Sequence, residues 1–118
     1  MDLAVKLQLK PGQRVEGALV PDPIASELTV IGAGGDDSEG AALLVFATDR
    51  CTLEEHRTQI VEAVNRGRLT WVSYPKAGQL GTDLNRDSLA ALLAESGIQP
   101  VRQIAIDAVW SALRFRPA

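Results

Sequence analysis

Short apolar runs alternate with stretches of helical periodicity along this chain, which is the pattern of an α/β fold. Residues 2–9 hold two leucines four positions apart and predict a short leading helix, which Pro11 ends. Residues 13–20 predict a first strand that the Pro-Asp-Pro of 21–23 stops. Residues 27–32 predict a second strand.

The middle of the chain gives the clearest strand and helix signals. Residues 42–47 form a continuous apolar run, which is typical of a strand covered on both faces. Thr52 and Glu55 have the spacing of a capping box and predict the start of a helix. An apolar stripe follows at intervals of three and four residues, and Gly67 supplies a left-handed residue that ends the helix.

The last third of the chain predicts a strand, a helix and a hairpin. Residues 69–74 form the strand, and the leucines up to Leu93 recur at helical spacing until Gly97 ends the helix. Residues 100–107 and 110–117 are two β-like runs with so short a gap that an antiparallel hairpin is the natural connection.

These elements predict one domain over residues 1–118 with an α/β fold of three layers. We expect a Rossmann-like, mostly parallel sheet with helices on both faces and an antiparallel strand at the C-terminal end. The hydrophobic content of 46% and the charged content of 23% are those of a folded globular chain and not of a disordered one.

Charge and hydropathy exclude several classes of function. The formal net charge of −3 gives no overall positive field, so nucleic-acid binding is not expected without a local basic patch. No uncharged apolar run approaches the roughly 20 residues of a membrane span. We therefore expect a cytoplasmic protein that contacts no membrane.

One cysteine, Cys51, and one histidine, His56, provide no cluster with metal-ligand spacing. No metal, no other cofactor and no catalytic residue is expected. His56 borders the apolar stripe and is interpreted as a packed or half-exposed side chain. Cys51 is interpreted as a small buried residue, with a reactive thiolate at the helix start as the alternative.

A glycine-rich stretch at 30–35, Val-Ile-Gly-Ala-Gly-Gly, invites comparison with a dinucleotide-binding loop. Asp37 stands at the position of the third glycine, no apolar-periodic helix begins there, and Asp36 and Glu39 would repel phosphate. We interpret residues 32–40 as an exposed loop.

The stretch from Trp71 to Leu89 holds the best candidate for a ligand site. It follows the carboxyl end of a strand, where open α/β sheets bind ligands, and we expect an anionic small molecule there. The candidate ligand-binding residues are Tyr74, Lys76, Asp83 and Arg86. The alternative is purely structural, because Asn85 suits a helix N-cap and the two glycines suit turns.

The C-terminal run from Trp110 to Arg116 offers a candidate interaction surface. Alternation puts Trp110, Arg114 and Arg116 on one face of the strand. A turn centred on Ala108 and Val109 would place Arg114 opposite Gln103. An aromatic ring beside two arginines suits an acidic protein partner or a nucleic-acid strand, and arginine stems covering a solvated sheet face are the alternative.

The order of elements resembles that of class I S-adenosylmethionine-dependent methyltransferases, on the segments "KLQLKPGQRV", "RGRLTWVSYPK" and "GIQPVRQIAI" with a final strand after them. That resemblance implies a Rossmann-like sheet whose last strand is antiparallel. Gly17 stands where that family has an acidic residue, and Leu19 and Pro21 stand where it has loop glycines. The resemblance therefore implies the architecture without the cofactor or the reaction.

The motifs "WVSYPK", "DLNRDSL" and "WSALRFRP" resemble those of a family of short bacterial proteins of unknown function, over residues 69–117. We expect a non-catalytic module that acts by binding or by protein interaction. The alternative is an enzyme or sensor that holds an anionic metabolite at residues 74–86. The hairpin can leave a strand edge open, so a monomer and a homodimer both remain expectations.

Overall fold

A computed structural model describes residues 3–9, 14–30, 42–76 and 79–118. The chain has an α/β fold with one five-stranded sheet. The strands and helices are, in chain order, α1 (Leu3–Lys6), β1 (Val15–Ala18), α2 (Asp22–Val30), β2 (Ala42–Phe46), α3 (Arg50–Asn65), β3 (Thr70–Pro75), α4 (Arg86–Ala94), β4 (Ile98–Ala105) and β5 (Trp110–Pro117).

The sheet is mixed, with the strand order β1-β2-β3-β5-β4. Strands β1, β2 and β3 pair in parallel, while β5 is antiparallel to both of its neighbours, β3 and β4. The expected antiparallel C-terminal strand is confirmed. It lies inside the sheet and leaves β4 at the edge.

Alternate residues of the strands enter two separate apolar clusters, because successive side chains of a strand point to opposite faces. Val72 and Leu113 belong to a cluster with the buried residues of α3 and α4. Trp71 belongs to the other cluster, together with Leu7 after α1 and Ile24 of α2. The indole Nε1 of Trp71 donates to the backbone carbonyl of Leu7 at 2.9 Å, which holds the segment after α1 against the sheet.

The strand predicted at 27–32 is wrong, since residues 22–30 form helix α2. The carbonyl of Pro21 accepts hydrogen bonds from the amides of Ile24 and Ala25, at 3.0 and 2.9 Å. Prolines suit the first turn of a helix, where a backbone N–H has no partner in any case. The prolines that stop β1 therefore also start α2. The glycine-rich stretch and the acidic loop predicted within 30–40 lie, from residue 31 onward, outside the described residues.

The capping box predicted at Thr52 is also wrong, because α3 begins three residues earlier than its pattern indicates. Asp49 is the N-cap, with extended backbone angles, and its carboxylate accepts from the amide of Thr52 at 2.8 Å. The two predicted helix ends are confirmed, since Gly67 and Gly97 have left-handed φ angles of 76° and 82°.

Candidate functional site

The connection between β3 and α4, here Lys76 and residues 79–85, begins at the carboxyl end of β3. The amide of Lys76 donates to the carbonyl of Val109 at 2.7 Å. This bond continues the β3–β5 ladder beyond Pro75. The start of the connection is therefore fixed to the turn of the β4–β5 hairpin.

Asp83 acts on a helix other than the one it precedes. Its Oδ1 accepts from the backbone amide of Arg50, the first residue of α3, at 2.9 Å. With Asp49 on the amide of Thr52, two carboxylates occupy the N-terminus of α3. These acceptors satisfy amides that lack partners within the helix, and their negative charge disfavours a phosphate there.

Asn85 is the N-cap of α4, as its structural interpretation predicts. Its Oδ1 accepts from the amide of Ser88, and the Ser88 hydroxyl accepts from the amide of Asn85, both at 2.9 Å. The Thr82 hydroxyl accepts from the amide of Leu84 at 3.0 Å. The polar residues of the connection thus serve largely as caps and turns.

Tyr74 is only 4% exposed, at the end of β3 nearest the connection. Its hydroxyl accepts from Nε2 of Gln103 at 3.2 Å. Burial raises the pKa of this phenol, although a hydrogen bond from Ser111 and the charge of Arg86 act in the opposite direction. The hydroxyl is therefore protonated at neutral pH and serves as a hydrogen-bonding group.

The four residues predicted to bind a ligand have different partners in the structure. Arg86 is the exposed first residue of α4, and its positive charge acts to lower the pKa of the Tyr74 phenol. Asp83 is bonded to α3. Lys76 is half-buried, and within the described part of the chain no side-chain hydrogen bond or ion pair involves it or Arg86.

On the hairpin, Trp110 is 7% exposed. Its ring packs edge-to-face on Phe46 with the ring centres 4.9 Å apart. The sequence placed this ring on the candidate interaction surface, but its faces are covered and unsuited to stacking on a base.

Three arginines lie on one face of the hairpin, and we call Arg102, Arg114 and Arg116 the arginine face. Arg114 and Arg116 alternate with Leu113 and Phe115, which are buried in the cluster with α3 and α4. Arg102 is the direct partner of Arg114 across the two strands, so both side chains are on the same face.

The predicted pairing of Arg114 with Gln103 is wrong by one residue. Asp107 accepts from the amides of Val109 and Trp110, both at 2.8 Å, and so shifts the turn relative to the predicted centre. Arg102 was missed for this reason. An aspartate that bonds its own backbone two residues ahead is a known turn signal, so Asp107 could have indicated the register.

The arginine face lacks acidic partners in the described residues. Arg114 donates to the neutral amide oxygen of Gln8 at 2.7 Å, while Arg102 and Arg116 are exposed. The ion pairs within the described ranges join Arg57 to Glu54 and Arg68 to Glu16. Strands β4 and β5 contain no Asp or Glu, and no ion pair within the described ranges involves any of the three arginines.

The resemblance to methyltransferases predicts a cofactor loop at the end of β1 and in the segment that follows it. A Cβ atom placed on Gly17 would come within 2.5 Å of Cγ2 of Val20, so the Val20 side chain fills the space above this glycine. Leu19 has a left-handed φ of 59° and is 61% exposed. A ligand that approached the backbone of Gly17 would have to displace the Val20 side chain.

Cys51 is exposed in the first turn of α3, so its interpretation as a buried residue is wrong. Its sulfur lies 3.9 Å from a carboxylate oxygen of Glu55. His56 is half-buried, and its Nδ1 lies 3.1 Å from the carbonyl of Thr52, as a packed histidine would. Across the described ranges, no three Cys, His, Asp or Glu side chains form a group that could hold a metal ion.

Among the helices in the described ranges, none combines the length and apolarity needed to cross a membrane. Neither a protein-family model, nor a curated protein, nor a solved structure matches the chain.

Proposed function

We propose that this protein is a non-catalytic, cytoplasmic binding module whose arginine face holds an acidic segment of a protein partner. We also propose a three-layer, Rossmann-like architecture akin to a methyltransferase without its cofactor loop. Support for the architecture comes from the two apolar clusters and the antiparallel last strand. The proposal that no cofactor binds there is supported by Val20, whose side chain fills the space at Gly17.

One observation carries the proposal of an acidic partner: Arg102 and Arg114 stand directly opposite each other on adjacent strands. Like charges in this position destabilise a sheet, and no carboxylate of either strand offsets them. Carboxylates of a second molecule would relieve the repulsion and gain charge-assisted hydrogen bonds. A cationic pair with no acidic partner among the described residues is thus unfavourable alone and favourable in a complex.

A polypeptide suits this face better than a nucleic acid. Single-stranded nucleic acids bind by stacking bases on aromatic rings, yet Trp110 and Phe115 are 7% and 2% exposed. The net charge of −3 also opposes a long polyanion that extends beyond the patch. A short acidic segment needs only the local charge.

Fluorescence anisotropy tests the proposal with a short labelled peptide that alternates Thr and Glu. The controls are its Thr-Gln counterpart and a single-stranded oligonucleotide. We expect the acidic peptide alone to bind, more weakly as salt is added, because surface charge is screened. Arg102→Ala and Arg114→Ala should each weaken binding about tenfold, the loss of one charge-assisted hydrogen bond.

Arg66→Ala is the matched control, since Arg66 is an exposed arginine at the C-cap of α3 and belongs to neither strand of the hairpin. It removes the same charge and should leave affinity unchanged. Equal losses of affinity in all three variants would mean that the peptide responds only to the net charge of the protein. Tighter binding of the oligonucleotide would replace the proposed partner class.

A second candidate function, the binding of an anionic small molecule, is favoured by the position of Arg86. Arg86 stands at the start of α4, and its charge acts to lower the pKa of the buried Tyr74 hydroxyl. Lys76 follows directly after β3, two residues beyond Tyr74. Thermal-shift screening against phosphates, carboxylates and S-adenosyl compounds tests it, because a ligand of the native state raises Tm by mass action. A shift that disappears in Lys76→Ala supports this function, and no shift with any compound removes it.

A further inference from the structure

Strand β4, beside the arginine face, is an edge strand of the sheet. Strand β4 pairs with β5 on one side and with no other strand of the described residues on the other. An unpaired edge presents backbone donors and acceptors that an extended peptide can use.

The register identifies which backbone groups of β4 point outward. The amide of Ile106 donates to the carbonyl of Trp110 at 2.9 Å, so Ile106 faces β5. Inward and outward residues alternate in an antiparallel pair, so the backbone groups of Gln103 and Ala105 point away from β5. Lys6 Nζ donates to the outward carbonyl of Ala105 at 3.2 Å. The outward groups left to pair with a new strand are therefore the Ala105 amide and the amide and carbonyl of Gln103.

The open part of the edge is short and lies beside Arg102. Pro100 has no N–H, and the ladder is irregular between Pro100 and Arg102, where Val101 is the extra residue. Both features oppose pairing along the first half of β4. Residues 102–105 therefore form the usable stretch.

The same stretch determines which side chains a new strand would bring to the arginine face. Arg102 and Ile104 point to this face, because Arg114 and Ala112 are their direct partners. In an added strand, every second side chain would lie on this face, with one of them beside Arg102. Carboxylates at these alternate positions would meet arginines that form no ion pair with the described residues.

We propose that an acidic, extended segment of a partner protein adds to the sheet as a sixth strand along residues 102–105, with carboxylates at alternate positions on the arginine face. This inference rests on the proposed function and adds its mode of binding. Backbone hydrogen bonds to Gln103 and Ala105 provide affinity, and the arginines select the alternating charge.

Two N-methylated isomers of the Thr-Glu peptide test the mode of binding. One isomer carries the methyl groups on the Thr amides and the other on the Glu amides, so charge and composition are identical. In a paired strand, one set of amides points to β4 and the other points away. We expect one isomer to bind as the parent does and the other to bind at least about tenfold more weakly. Loss with methylated Thr means antiparallel addition, and loss with methylated Glu means parallel addition.

Hydrogen exchange provides a direct readout at the edge itself. In the protein saturated with the unmodified peptide, the Gln103 amide should exchange at least about tenfold more slowly, since a pairing partner protects it. Ala105→Pro removes only an outward amide and should weaken peptide binding while the Tm stays close to that of the parent protein.

The outcomes separate this inference from the proposed function. Strand addition is overturned if both isomers bind like the parent peptide, or if Gln103 exchange is unchanged at saturation, while loss of affinity in Arg102→Ala still supports an acidic partner. If the unmodified peptide does not bind at all, both proposals fall. Gln103 protection that rises with protein concentration alone would assign the edge to a second copy and overturn the proposal.

Discussion

The β3–α4 connection and the β4–β5 hairpin both contain the charged residues of a candidate site, yet they use them differently. In the connection, Asp83 and Asn85 each bond a backbone amide at a helix start. On the hairpin, Arg102 and Arg116 are exposed and have no bonding partner among the described residues. The difference lies in what the fold demands locally, because helix starts have unpaired amides, whereas the face of a sheet presents side chains and no backbone amides.

This comparison shows that the type of a residue is a poor guide to a site unless its partners are known. Asp83 is a residue type that commonly binds ligands, but here its carboxylate caps a backbone amide at the start of α3. Arg102 faces another arginine and forms no side-chain hydrogen bond or ion pair with the described residues. Binding is best sought where charge remains uncompensated after folding.

The largest expected effect contrasts the two faces of the hairpin itself. Leu113 is 1% exposed, in the cluster that α3 and α4 cover. Leu113→Ala should lower the free energy of unfolding by about 3 kcal/mol, from lost burial and the cavity that remains. The neighbouring Arg114→Ala should cost less than about 1 kcal/mol. Urea denaturation of both variants measures the contrast, and similar losses would mean that the arginine face is part of the core.

The connection should prove structural when its caps are removed. Asn85→Ala should lower the free energy of unfolding by about 1 kcal/mol, because the amide of Ser88 loses its acceptor. Asn65→Ala, at the exposed end of α3, is the matched control and should have almost no effect. Affinity for the Thr-Glu peptide should be unchanged in both. A cap variant that leaves stability intact but abolishes ligand binding would make the connection a functional site.

Asp83 extends this test to a contact distant in sequence. Asp83→Ala should cost about 1 kcal/mol of stability, since the amide of Arg50 loses its acceptor and α3 loses a charge near its N-terminus. Glu62→Ala removes an equal charge near the other end of α3 and should not destabilise the protein. Thermal denaturation of the two variants measures the difference. Equal Tm values would indicate that the bond between Asp83 and the Arg50 amide contributes nothing to stability.

A smaller effect of opposite sign is expected on the arginine face. Arg102→Glu places opposite charges across the two strands and should raise the free energy of unfolding by about 0.5 kcal/mol. The same variant should lose affinity for the acidic peptide. Arg102→Gln should show part of each change. If Arg102→Glu is destabilising, the two arginines do not repel each other in the folded protein.

The smallest expected effect is a dependence on pH at the start of α3. Hydrogen bonds from the amide and then the hydroxyl of Thr52 lower the pKa of Asp49 below 3.8. Because folding lowers this pKa, the stabilisation is complete above the unfolded value and is lost as the pH falls from 3.8 through the folded pKa. Urea midpoints of Asp49→Asn should therefore fall less steeply with acid than those of the parent. Identical slopes would contradict the assignment.

Much of the fold was predictable from local pattern. Gly67 and Gly97 end helices with left-handed angles, and the two C-terminal runs form the expected hairpin. The failure at residues 27–32 came from a β-branched segment whose helix depends on a start at Pro21. β-branched residues favour strands, so here the helix start at Pro21 outweighs their local propensity.

The candidate site was predictable only in part. Alternation correctly placed Arg114 and Arg116 on one face, whereas Arg102 required the register of the hairpin. A shift by one residue exchanges the faces of every side chain on a strand, so a small error in the turn at Asp107 hid the third arginine. Tyr74 and Lys76 were correctly placed at the end of β3, but their partners were not foreseen.

The sequence by itself determined the features that depend on neighbours along the chain: the apolar strand Ala42–Phe46, the N-cap at Asn85, the ends of the helices at Gly67 and Gly97, and the hairpin. Only the tertiary structure decided which charges are used and which remain free. Asp83 meets Arg50 across 33 positions, and Arg102 meets Arg114 only through the hairpin register. The physical reason is that a charge is compensated by whatever lies near it in space, and spatial proximity between distant residues is set by packing of the whole sheet.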